Sequence, residues 1–150
     1  MRTKPEAMTI IVDIDGTLAD ITHRLHFVQK APKNWKAFFN AMDRDTPIPS
    51  TVGVVQSMWT MGHRILITTG RPASYEPMTV GWLREHRIRY DHMFMRAAGD
   101  TRPDDVVKRD ILRHIRRDYE PDLAIDDRDR VVDMWRQHGV PCWQVAPGGF

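Results

Sequence analysis

Asp13-Ile14-Asp15-Gly16-Thr17 places two carboxylates two residues apart, beside a glycine. A carboxylate nucleophile with a nearby carboxyl acid/base is the pairing that aspartyl-phosphate chemistry requires. Gly16 permits a sharp backbone turn, so Asp15 can turn away from Asp13 where a strand ends. The plain alternative is an Asp-Gly turn with solvated acids. Asp126-Asp127 is a second acid pair. Adjacent carboxylates at a buried strand end repel unless a cation joins them, and Mg²⁺ prefers carboxylate oxygens. The plain alternative is that one of them N-caps a helix starting at Arg128. Thr68-Thr69-Gly70-Arg71 offers hydroxyls, backbone N–H groups and a guanidinium. At a strand-to-helix turn these make a phosphate cradle. Lys108 follows Asp104 by four residues, in the acid-before-base order of a surface helical ion pair.

These residues need a scaffold that brings them together. Five short apolar runs cover Thr9 to Ile14, Arg64 to Thr68, Asp91 to Met95, Asp122 to Ile125 and Pro141 to Val145. Several are continuous rather than alternating, as in strands of a parallel sheet covered on both faces. Helices are expected at Thr51 to Met61, Tyr75 to His86, Thr101 to Asp118 and Arg128 to His138. The third opens on a capping-box pattern, Thr101-Arg102-Pro103-Asp104. Its Val107, Ile111 and Ile115 recur at helical spacing. Alternating strands and helices imply an α/β three-layer sandwich, Rossmann-like, in a single domain over 1–150. Three polar clusters then fall at the C-terminal ends of parallel strands, where open α/β sheets bind ligands.

One stretch interrupts this rhythm. About 35 residues separate the first strand from the Thr51 helix, too many for a plain connection. They read as a flap or small cap over the site, about residues 19–50. Asn34 to Met42 is its amphipathic helix, ended by Pro47 and Pro49. The stretch carries Arg24, Lys30, Lys33, Lys36 and Arg44, with Trp35, Phe38 and Phe39. Basic residues interleaved with aromatics can form a single-strand platform. The plain alternative is that the aromatics pack the insertion onto the domain.

Composition sets the outer limits. The chain has 150 residues, 41% hydrophobic and 28% charged, with a net charge of +2. It contains no run long enough to span a bilayer. The start, Met1 to Met8, lacks the apolar core of a signal peptide. With Cys142 the single cysteine, neither an intramolecular disulfide nor a cysteine zinc site can form. A cytoplasmic setting is expected, the host cytoplasm if the source is a phage. Of the 22 basic residues 17 are Arg, which suits bidentate phosphate contacts and equally reflects a GC-rich genome. Cys142, Trp59, Trp82, Trp135 and Trp143 are expected to pack in the core or against helices. The seven His residues show no metal-ligand spacing, and Gly148-Gly149 reads as a flexible tail.

The order acid pair, hydroxyl, lysine, acid pair resembles the haloacid dehalogenase superfamily of phosphotransferases. The matching residues are Asp13, Asp15 and Thr17, then Thr68 or Thr69, then Lys108, then Asp126-Asp127. Segments 99–108 and 123–128 and the tail from Met134 to Ala146 resemble more narrowly the 3′-phosphatase domain of bacteriophage polynucleotide kinase/phosphatase. The likeness is weak in the insertion, where Arg24 is a candidate active-site arginine. No G-x-x-x-x-G-K-[ST] loop is present, so only the phosphatase half is expected.

The resemblance implies a parallel five-stranded sheet of order 3-2-1-4-5. It implies a Mg²⁺-dependent polynucleotide 3′-phosphatase, with 3′ ends of DNA or RNA as substrate. A small-molecule phosphatase such as a nucleotidase is the alternative, and a non-catalytic end-binding module a remote one. A separate kinase or ligase is an expected kind of partner, and no membrane is involved. By resemblance Asp13 attacks phosphorus. Asp15 acts as acid and then base, which requires its pKa to rise. Thr68 or Thr69 binds a phosphoryl oxygen, with Thr17 and Gly70 lining the phosphate. Lys108 neutralises charge. Mg²⁺ bridges Asp13, the Asp15 carbonyl and one of Asp126 and Asp127. Asp127 is favoured as ligand and Asp126 as the partner orienting Lys108. Arg24 and Arg71 are assigned to phosphate or backbone contacts, with Asp104 orienting one of the cations.

Overall fold

A computed structural model describes residues 6–149. The polar chain start is therefore only partly covered. The core is one five-stranded sheet, flanked by a two-stranded one. Its strands are β1 (Thr9–Val12), β4 (Arg64–Pro72), β5 (His92–Arg96), β6 (Leu123–Asp126) and β7 (Cys142–Gln144). The sheet order is β5-β4-β1-β6-β7, and each neighbouring pair is parallel. Counting only these strands in chain order, that is 3-2-1-4-5.

β1 lies at the centre and is buried at every residue. This is why its apolar run is continuous: both faces are covered. The period of two still sorts its side chains. Ile10 and Val12 join Ile65 and Ile67 in one core, with Val52 and Val55 of α3 (Pro49–Thr60) and Trp82 and Leu83 of α4 (Glu76–Glu85). Ile11 and Leu66 join the other core, with Val107, Ile111 and Ile115 of α5 (Asp104–Ile115) and Val131, Val132 and Trp135 of α6 (Asp129–Gln137). The three layers follow from this sorting.

The insertion is closed by an antiparallel pair, β2 (Ala19–Asp20) and β3 (Thr46–Pro47). Two short helices, α1 (His26–Gln29) and α2 (Trp35–Asn40), lie between them. Asn34 caps α2 through a hydrogen bond from the Ala37 N–H. Pro47 sits in β3, and Pro49 begins α3 rather than ending the preceding helix. Its fixed φ and missing N–H cost nothing in a first turn.

Three further expectations are corrected. The Thr101 capping box does not form: α5 begins at Asp104, with Pro103 at the N-cap position and no side-chain cap. Asp100 instead accepts from the Arg102 N–H and guanidinium. Trp143 is 54% exposed, whereas Trp82 and Trp135 are buried as expected. Gly148 is docked rather than free. Its carbonyl accepts the Asp129 N–H, and a Cβ there would lie 2.0 Å from the Asp127 carbonyl oxygen. Among the described residues no helix is long and apolar enough to cross a membrane.

Candidate active site

The site is built where β1 and β6 end together. The Asp13 N–H still donates to Ile125 O, which holds Asp13 in line with β6. The backbone then folds back, and the Leu18 and Ala19 N–H groups both donate to Ile14 O. Gly16 has φ +81, and a Cβ on it would lie 2.1 Å from Asp127 Oδ2. The turn and the close approach both require glycine. At the end of β6, Asp126 and Asp127 are not N-caps, since Arg128 holds that position.

Lys108 is not a surface partner of Asp104. It is buried, and its Nζ donates to Asp13 Oδ1 at 2.7 Å and Asp126 Oδ2 at 2.9 Å. Asp126 is further held by Trp135 Nε1 and the Asp127 N–H. Thr17 Oγ1 spans Asp13 Oδ2 at 3.0 Å and Asp127 Oδ1 at 3.4 Å.

Carboxylate oxygens of Asp13, Asp126 and Asp127 lie within 4.8 Å of one another, all buried. Three carboxylates face one ammonium. Burial, and then repulsion from Asp126, raises the Asp13 pKa well above the usual carboxylate range. The same causes push Asp127 up to about 6. Burial disfavours the Lys108 charge, but attraction to Asp126 and Asp13 outweighs it and raises the pKa. An all-oxygen donor set with excess negative charge fits a hard divalent cation.

Thr68 supplies the second feature. The register pairs Val12 with Ile67, so Asp13 and Thr68 follow one step on, side by side. Among the described residues, Thr68 Oγ1 is the one buried side-chain oxygen or nitrogen without a hydrogen-bond partner. A buried hydroxyl left unpaired costs about 1–3 kcal/mol, and an incoming acceptor would relieve that. Thr69 is already engaged, accepting from the Arg71 N–H. The two threonines that sequence left as alternatives thus differ in that one hydroxyl is unpaired and the other already accepts a hydrogen bond. Gly70 approaches Asp104 so closely that a Cβ would lie 2.6 Å from Oδ1.

Asp15 faces the insertion. It accepts from Arg24 Nη2 at 2.7 Å and Arg71 Nη2 at 2.6 Å. Burial raises its pKa, but the two guanidinium groups outweigh this and hold it at about 2. The structure thus holds the Asp15 pKa down where a raised one was expected. Arg24 and Arg71 are fully buried and pair with Asp15 and Asp45.

Asp45 was not singled out from sequence. It accepts from Arg24 Nε at 2.8 Å, Arg24 Nη2 at 2.7 Å and Arg71 Nη2 at 3.2 Å, with His23 Nε2 at 2.6 Å. Asp45→Ala leaves two buried cations short of a partner. It is expected to cost about 3–5 kcal/mol of stability and to lower turnover by displacing Asp15. Urea unfolding checks the first, and a loss under about 1 kcal/mol would remove the anchoring role. Asp104 holds Arg96 and, at 2.5 Å, Arg128 Nη1. These two arginines were also missed, and Arg24 and Arg71 are not Asp104 partners. Cys142 is buried, and burial pushes its thiol up to about 12, so it is no nucleophile at neutral pH.

A phosphatase of the haloacid dehalogenase kind has this sheet and this cluster. Residues 7–150 match the family described as the polynucleotide kinase PNKP phosphatase domain, and the chain belongs to that family. A solved chain of the Pnkp1/Rnl/Hen1 complex is 30% identical, with a TM-score of 0.80 over 97% of this chain and 48% of that one. A protein of Autographa californica nuclear polyhedrosis virus, named "Putative bifunctional polynucleotide kinase/RNA ligase", is 27% identical over 135 residues. That match covers 88% of this chain and 18% of the viral protein. The chain thus spans less than half of each. The class C acid phosphatase of Bacillus anthracis shares the fold, with a TM-score of 0.71 at 15% identity over 97% of this chain and 68% of that one.

Proposed function

We propose that this chain is a divalent-cation-dependent polynucleotide 3′-phosphatase working through an aspartyl-phosphate. The observation that carries this is the cluster itself. Asp13 lies against Lys108, with two further acids at 4.8 Å or less and an unpaired Thr68 hydroxyl beside it. Family membership supports the polynucleotide substrate. Similarity to a chain of an RNA repair complex supports an RNA end, and the name of the viral relative supports a ligase as partner.

In the first step an Asp13 oxygen forms a bond to phosphorus. The phosphorus–O3′ bond breaks, its electron pair stays on O3′, and Asp15 supplies the proton. In the second, water attacks the same phosphorus, its proton passes to Asp15, and the bond to Asp13 breaks. Between the two arginines Asp15 is held as a carboxylate, the form the second step needs. A bound phosphoryl dianion offsets the two arginines and raises its proton affinity. Thr68 and Lys108 hold phosphoryl oxygens where charge develops. Asp13, the Asp15 carbonyl and Asp127 are the residues to hold Mg²⁺, since Asp126 is occupied by Lys108 and Trp135. When bound, the cation supplies positive charge against the transferring phosphoryl group.

The deciding assay compares a 3′-phosphorylated oligonucleotide with free nucleoside monophosphates, in the presence of Mg²⁺. Release of phosphate from the oligonucleotide is expected. Reaction of the free nucleotides alone would overturn the polymer reading in favour of a nucleotidase.

Metal binding has its own signature. Ligation requires deprotonated acids. Mg²⁺ is therefore expected to raise the melting temperature of EDTA-treated protein more at pH 8 than at pH 5. The gain is about 2.7 kcal/mol at a hundred times Kd. An Asp127→Asn chain with an undiminished gain would exclude Asp127 as a ligand.

A further inference from the structure

The three aromatics of the insertion do different things. Phe38 is buried, and the Arg24 guanidinium carbon lies 4.3 Å from its ring centre. It does the packing. Trp35 is 48% exposed, and among the described residues it is the one large apolar side chain of the insertion left so open. Its indole stacks on Phe39 at 5.9 Å and 24°. Phe39 in turn leans on Tyr75 at 5.2 Å. Tyr75 closes the turn that follows β4, four residues after Arg71. Trp35, Phe39 and Tyr75 thus form a ledge from the insertion to the strand end that carries Arg71. Arg24 ties the same helix to Asp15 through Phe38.

The insertion is rich in exposed cations, Lys30, Lys33, Lys36 and Arg44; its exposed acids are Asp20 and Asp43, and the exposed Glu76 follows Tyr75. The Lys33 ammonium lies 5.7 Å from the Trp35 ring centre. That is the place for a cation meeting the backbone phosphate beside a stacked base. An open indole with a lysine ammonium beside it matches single-stranded nucleic acid, whose bases stack on aromatics irrespective of sequence.

We infer that Trp35, on its Phe39–Tyr75 support, stacks a base of the strand that ends in the scissile phosphate. This rests on the polynucleotide reading above and adds a substrate-positioning residue to it. It predicts that affinity grows as nucleotides are added upstream of the 3′-phosphate.

The test uses the full chain, Mg²⁺ and 3′-phosphorylated substrates of one to four nucleotides. KM is expected to fall with length in the wild type. Trp35→Ala should raise KM for the longest substrate by about tenfold, equivalent to ~1.4 kcal/mol and within the range for one stacked base. Its kcat, its KM for the single nucleotide and its melting temperature should be unchanged. Trp35→Phe should recover most of the loss. Wild-type KM at every length in Trp35→Ala overturns the inference. Anisotropy of a labelled 3′-hydroxyl oligonucleotide separates the two readings. Trp35-dependent binding of this oligonucleotide, with no phosphate released from the 3′-phosphorylated substrates, would sink the phosphatase reading and keep the ledge. Binding indifferent to Trp35→Ala would sink the ledge.

Discussion

Asp13→Asn is expected to lower kcat for phosphate release on the order of 10⁴-fold or more, with no loss of fold. The amide has the same shape and its oxygen can still accept from Lys108, but it cannot form the acyl-phosphate bond. Stability should hold or rise in metal-free buffer. Asp13 is a buried acid whose pKa is pushed up by burial and by Asp126, so its ionised form opposes folding at neutral pH. The amide removes that charge. Phosphate release from a 3′-phosphorylated oligonucleotide and a thermal melt read the two effects. Turnover within tenfold of wild type would take the nucleophile's role away from Asp13. A cooperative melt shows that lost activity is not lost structure.

Lys108→Met should have a large effect on stability. The ammonium is bonded to both Asp13 and Asp126. Removing it leaves buried acids uncompensated, at a cost of about 3–5 kcal/mol. The loss should depend on pH in a definite direction. Asp13 and Asp127 have folded pKa values above their ordinary ones, Asp127 at about 6. Between ordinary and folded values the native state binds more protons than the unfolded state, so stability falls as pH rises. Without Lys108 the folded values rise further and the fall becomes steeper. Urea unfolding in EDTA should therefore show a larger penalty at pH 8 than at pH 5. An equal penalty at both would mean that Lys108 matters through packing alone.

The unequal legibility of these residues has a physical origin. The motif residues lie at the ends of apolar runs, and an apolar run in a parallel sheet is visible in one dimension. Asp13, Thr68 and Asp126-Asp127 could be placed at strand ends for that reason. Lys108 taken alone reads equally as a surface partner of Asp104, and the resemblance alone turned it toward Asp13 and Asp126, where its side chain lies. Asp45 had no signal. Asp43 and Asp45 sit in the same polar stretch, yet one is exposed and the other buried against two arginines. Nothing in local spacing distinguishes them. Trp135 read as a core residue, and its indole N–H on Asp126 follows from α6 packing under β6.

What the sequence determined alone was the layer order, the strand ends and the set of acids, hydroxyls and lysine gathered there. Those follow from short-range rules of burial and turn geometry. The tertiary structure decided the charge state and the partners. Asp15 shows this most directly. Sequence logic asked for a raised pKa because the mechanism needs a proton. Two guanidiniums, 9 and 56 residues away along the chain, hold it at about 2 instead. Electrostatic energy depends on distance through space, and only the packed insertion brings those charges within hydrogen-bond reach.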